Sequence, residues 1–172
     1  MRVSFGRLLS PVLLLLANCA PALSAAETDQ AVAENIAGPH WRELSRRAGI
    51  VFVGTVLNSG KHLEDVGRGK RPDWPIPAIE LRFQVERAIA GVESSKVVTI
   101  HQWAGAWSSL RPLHPGDRVL LFLYPPSKLG LTSPVSGARG QILLNHSPVQ
   151  ARTMSGFPLD QLVRAIRGAR GE

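Results

Sequence analysis

The chain has 172 residues, 44% of them hydrophobic, with 20 Lys and Arg against 13 Asp and Glu, a formal charge of +7 and a single cysteine. That length supports one domain with a real core. One cysteine excludes a disulfide framework and a cysteine-built zinc site, and the positive balance permits contact with anionic surfaces without requiring it.

The first residues read as a secretory signal over 1–25. Arg2 and Arg7 form a positive head, "LLSPVLLLLA" a short apolar stretch, and "NCAPALSAAE" supplies small residues at cleavage spacing, Ser24 with Ala26 or Ala22 with Ser24. The apolar run is shorter than the ~20 residues a bilayer span requires. A lipoprotein anchored through Cys19 is the alternative; Asn18 before it disfavours that processing. Cleavage would leave roughly 147 residues, 18 basic against 13 acidic, no cysteine and no membrane span. The expected location is secreted or periplasmic.

Residues 26–38 are polar and alanine-rich and read as a flexible lead-in; the domain proper is expected over 39–168. "PHWRELSRRAG" predicts a short helix. Pro39 suits its first position and Gly49 a C-terminal cap, while Trp41, Leu44 and Ala48 share one face and Arg46 and Arg47 sit in its last turn. "IVFVGTVLN" (50–58) is a strand. Residues 59–75 form a charged, glycine-rich loop or a frayed hairpin arm. In "AIELRFQVERAI" (78–89), Ile79, Leu81, Phe83 and Val85 alternate with polar residues, so one face is core and one is wet. "KVVTIHQW" (96–103) is a third strand. A turn at Pro115-Gly116-Asp117 precedes a fourth, "VLLFLY" (119–124). A loop over 125–140 leads to "QILLN" (141–145), a fifth.

The fourth strand does not alternate, so both its faces must be covered. One is expected to line a barrel interior and the other to lie under a terminal helix. The closing "FPLDQLVRAIRGARGE" supplies such a helix. Leu159, Leu162, Val163 and Ile166 form its apolar stripe, and Arg164 and Arg167 are expected to face away. A basic amphipathic helix of this kind could instead lie on a membrane.

The order "RRAGIVFVGTV", "FQVERAIAGVESSKVVTI", "LHPGDRVLLFLYP" and a late glycine-containing loop before another strand resembles the netrin-like, or TIMP-like, variant of the OB-fold, over about residues 40–167. The resemblance implies a mainly β fold, a five-stranded Greek-key OB-like barrel with short N- and C-terminal helices, serving as a binding scaffold. Metalloprotease inhibitors of that family chelate zinc through an N-terminal cysteine held by a disulfide. This chain has no such cysteine after cleavage, which removes that route.

No catalytic motif is present. His40, His62, His101, His114 and His146 form no ligand pair at helical spacing, no G-x-S-x-G elbow occurs, and "GRGK" and "GARG" lack phosphate-loop spacing. No cofactor and no metal are expected. The candidate binding residues are Trp103 and Trp107, which flank a small-residue loop, and Arg68, Lys70 and Arg71 in the loop between strands one and two. OB-type barrels often bind through that loop and its neighbours. The structural alternative for the tryptophans is that one or both plug the barrel end, with Trp107 the more exposed. The expected function is non-enzymatic recognition of a protein partner outside the cytoplasm, rather than of nucleic acid. An OB-type binder of an anionic polymer (nucleic acid or polysaccharide) and a hydrolase with an unreadable site are the alternatives.

Overall fold

The computed structural model describes residues 20–64, 76–93, 96–105, 110–144 and 158–172. The fold is mainly β: a five-stranded antiparallel sheet with three helices among the described residues. The elements in chain order are α1 (Ala20–Ala37), α2 (Trp41–Arg47), β1 (Ile50–Glu64), β2 (Ile76–Ala90), β3 (Val97–Trp103), β4 (Arg118–Leu123), β5 (Gln141–Leu143) and α3 (Leu159–Arg170). The strands lie in the order β3-β2-β1-β4-β5, so β3 and β5 are the edges.

The expected lead-in over 26–38 is helical instead, as the C-terminal part of α1. Among its described side chains the buried positions are Asp29, Ala33 and Ile36, at i, i+4 and i+7. Only one of the three is a large apolar residue, so hydrophobic periodicity does not announce this helix. Its anchor is ionic. Arg164 of α3 donates from Nε and Nη2 to the two carboxylate oxygens of Asp29, each at 2.9 Å. That hydrogen bonding, helped by the charges of Asp29 and Asp160 and opposed by partial desolvation, raises the Arg164 pKa above its ordinary value. Arg164 therefore docks α1 and does not simply face water. Arg167 stays exposed while donating from Nη2 to the carbonyl of Ala88 (3.3 Å).

Helix α2 buries Trp41, Leu44 and Ser45, with Ala48 just beyond on the same side. Gly49 is not its left-handed cap. The C-cap is Ala48 in extended conformation, and the N–H of Gly49 instead donates to the carbonyl of Leu123 at 2.9 Å, opening the β1–β4 pairing. Glycine is needed here for close approach, because a β-carbon would lie 2.6 Å from Cγ of Pro125. The carbonyls at the end of α2 are met from α3: Arg170 Nη1 donates to Ser45 O (2.8 Å) and Ala48 O (2.6 Å). In return, Arg46 Nε donates to Ala169 O near the end of α3 (3.4 Å).

Strand β1 runs six residues beyond the expected Asn58, because it pairs with β2 from Val51↔Ala90 to Glu64↔Ile76. Register shifts at Val51/Phe52, Val53/Gly54 and Val56/Asn58 mark bulges, which bend and twist so long a hairpin. On β2, Ile79, Leu81, Phe83 and Val85 are buried and Arg82 is exposed, as the alternation requires; Arg87 is exposed because the register shift at Val53/Gly54 interrupts that alternation. Glu86 on the wetter face accepts from Arg118 Nε and Thr55 Oγ1, each at 2.7 Å, and so bridges β1, β2 and β4.

Strand β4 is covered on both faces. Leu120 and Phe122 join Val51, Val53 and Ile89 beneath Trp41, Leu44, Leu162 and Ile166 of the helices. Val119, Leu121 and Leu123 join a second cluster drawn from the strands and Leu113, in which Phe52 meets Phe83 edge-on at 5.4 Å. Residues beyond β4 add a further tie. His101↔Leu131 is a parallel bridge and Leu123↔Pro134 an antiparallel one, backed by Thr132 N–H to His101 O (2.9 Å) and Val135 N–H to Phe122 O (2.8 Å). This strip joins the ends of β3 and β4. No helix among the described residues is long and apolar enough to cross a membrane.

Candidate functional site

Of the sequence-predicted binding residues, Trp103 is described; Trp107, Arg68, Lys70 and Arg71 lie outside the described residues. Trp103 is the last residue of β3 and pairs with Ala78 of β2, which in turn pairs with His62 of β1. That row lies two residues from the pair Glu64↔Ile76, where the β1–β2 loop begins and ends. The sheet therefore brings Trp103 and both anchor points of the basic loop to one end.

Trp103 is 55% exposed, which rules out the core plug for this residue. Strand alternation explains it. Ile100 and Gln102 point inward and are buried, so Trp103 points out. Its indole lies over Gly105: a β-carbon at that glycine would stand 2.4 Å from Cζ2. The ring forms one wall of a cleft of about 300 Å³ shared with Tyr124, Pro125, Ser127, Leu131, Thr132 and Ser133.

The far wall is held by polar contacts. Thr132 Oγ1 donates to the carbonyl of Tyr124 (2.5 Å). Arg47 donates from Nη2 to the Tyr124 hydroxyl (2.7 Å), lies 5.6 Å from the ring centroid, and pairs with Glu43 at 3.0 Å. The lining is aromatic, proline, leucine and hydroxyl; among the described residues no lysine or arginine lines it. Such a surface offers apolar contact area and a few hydrogen-bond groups, the usual make-up of a recognition site. Tyr124, Pro125 and Thr132 were not singled out in the sequence. The double proline after β4 signals only a strand end, and 131–135 reaches Trp103 through backbone bonds to β3 that no local pattern encodes.

Among the described residues no group of three or more His, Cys, Asp or Glu side chains could hold a metal ion. One side chain stands out inside the sheet: Gln102, 2% exposed, whose Oε1 has no hydrogen-bond partner among the described residues. It is one residue from Trp103 and faces the opposite way.

No protein-family model matches the chain, and no curated protein matches it.

Proposed function

We propose that this protein is an exported, non-enzymatic binding module that recognises a protein partner through the Trp103 end of its sheet. The observation that carries the reading is the half-exposed indole of Trp103 on the wall of an uncharged, aromatic cleft. Large rigid side chains on open surface are the common anchors of protein interfaces. An anionic polymer would call for a cationic track beside the stacking rings. Among the described residues no basic side chain lines the Trp103 cleft, which favours a protein over a polymer.

The scaffold is a netrin-like or TIMP-like OB barrel in this proposal, partly open between β3 and β5. The strip at 131–135 supports that closure, since it pairs in parallel with β3 and antiparallel with β4. A signal over 1–25 delivers the chain outside the cytoplasm. Removal after Ser24 or Ala26 would leave Asp29, Ala33 and Ile36, the buried positions of α1, in place.

The test is site-specific photo-crosslinking in the producing cell. A photoreactive residue at position 103 should give one discrete adduct in the extracytoplasmic fraction, and the same residue at exposed Arg82 should not. Equal labelling from both positions, or an adduct confined to the cytoplasm, would overturn the reading. Mass analysis of the exported chain should show an N-terminus at Ala25 or Glu27; a lipid on Cys19 would replace the secreted form with an anchored one.

A further inference from the structure

A second cleft lies on the opposite kind of surface, between the three helices. It encloses about 470 Å³, and three arginines line it: Arg42 and Arg46 from α2 and Arg164 from α3. The one carboxylate in the lining is Asp29, and both its oxygens are taken by Arg164. Arg42 and Arg46 have no carboxylate partner among the described residues, so the cleft carries a surplus of positive charge.

Arg42 is held in place. Its guanidinium lies 5.2 Å from the centroid of the Trp41 ring, and its Nη2 donates to Gln30 Oε1 of α1. Arg46 uses Nε on the carbonyl of Ala169, and among the described residues its terminal nitrogens have no partner. Small residues of α3, Ala165, Gly168 and Ala169, keep the cleft open. A β-carbon added at Gly168 would meet no atom within 4 Å.

We infer that this cleft binds a phosphate ester, with its oxyanion held between Arg42 and Arg46. Guanidinium forks match phosphate oxygens in geometry, and positions fixed before binding lose little freedom on binding. Arg42 and Arg46 bring two uncompensated cations to one space, which is self-repelling, and a bound anion relieves it. The volume lies within the range of small-molecule sites and exceeds that of a bare phosphate, which leaves room for the alcohol part of an ester. That alcohol could be a free small molecule or the exposed headgroup of a phospholipid. The inference is independent of the Trp103 cleft and survives if that surface has no partner.

Calorimetric titration of the purified protein with glycerol phosphate, and flotation with phosphatidylglycerol against phosphatidylcholine vesicles, separate the two sources. Saturable binding of glycerol phosphate assigns a soluble ester; binding of phosphatidylglycerol vesicles alone assigns a headgroup. In either case Arg42→Ala and Arg46→Ala should each weaken binding at least tenfold, and Arg42→Lys should fail to restore it because the fork is lost. Gly168→Leu should fill the cleft and block binding while the melting temperature holds or rises, since leucine favours helix over glycine. Arg82→Ala, an exposed charge removal on β2, should change affinity less than twofold. Failure of both probes to bind overturns the inference. So does binding that Arg82→Ala weakens as much as Arg42→Ala, or that ignores Gly168→Leu.

Discussion

Arg164 and Asp29, 135 positions apart, meet as a two-toothed pair with both N···O distances at 2.9 Å. The Asp29 side chain is 12% exposed and that of Arg164 59% exposed, so the carboxylate is the partner that depends on the contact. Helix α1 has few large apolar residues of its own, and this pair places Ala33 and Ile36 against the core.

A double-mutant cycle should therefore be asymmetric. Arg164→Ala leaves a buried, unpaired carboxylate and should destabilise more than the Asp29→Ala Arg164→Ala double variant, because an uncompensated buried charge costs more than a missing pair. Urea denaturation of the three variants measures this. Strict additivity of the two single effects would show that the contact contributes nothing.

Loss of α3 should collapse the fold. Truncation after Gly156 removes Leu162 and Ile166, both 0% exposed, and the partly buried Leu159 and Val163. Each large aliphatic side chain stabilises by roughly 1.5–3 kcal/mol when fully buried. Two such residues account for about 3–6 kcal/mol against a typical total of about 5–15 kcal/mol. The same cut removes Arg170 from the carbonyls of Ser45 and Ala48 and frees Asp29. The product should be insoluble or molten; a soluble chain with a cooperative melt would show that α3 is dispensable.

Lysine at either face of β4 should unfold the protein. Leu121 sits in the strand cluster and Phe122 in the helix-covered one, and both are buried. Phe122→Ala alone should cost about 3–5 kcal/mol through lost burial and a residual cavity. Thermal melts of Leu121→Lys and Phe122→Lys decide the matter. Retention of the wild-type melting temperature by one of them would mean that its face is open to water.

Trp103→Ala should leave stability within about 0.5 kcal/mol, as for other exposed positions, while weakening partner binding by ~2 kcal/mol, about thirtyfold. Gly105→Ala should reproduce the binding loss without removing the ring, because its β-carbon would displace the indole. A Trp103→Ala variant that loses several kcal/mol of stability would return this residue to the core.

Much of the architecture was legible because it rests on short-range periodicity. The alternation of Ile79, Leu81, Phe83 and Val85 defines β2, and the spacing of Trp41, Leu44 and Ala48 defines the buried side of α2. The unbroken apolar run of β4 demanded cover on both sides, and the stripe of α3 announced what would provide half of it. These signals are local, and burial along a strand or helix repeats with the period of the backbone. Tertiary structure decided what local patterns do not carry. Helix α1 was invisible as a packed element because its anchor is a carboxylate whose partner is 135 residues distant. Trp103 reads in sequence as a plug or a surface residue, the plug being favoured, and the pleat of β3 placed it on the surface. The strip at 131–135 reads as loop, and only its bonds to β3 and β4 make it part of a cleft wall. Arg42, Arg46 and Arg164 look like ordinary solvated charges on two separate helices; the packing of three helices gathers them around one space, and packing between elements distant in sequence has no period to read.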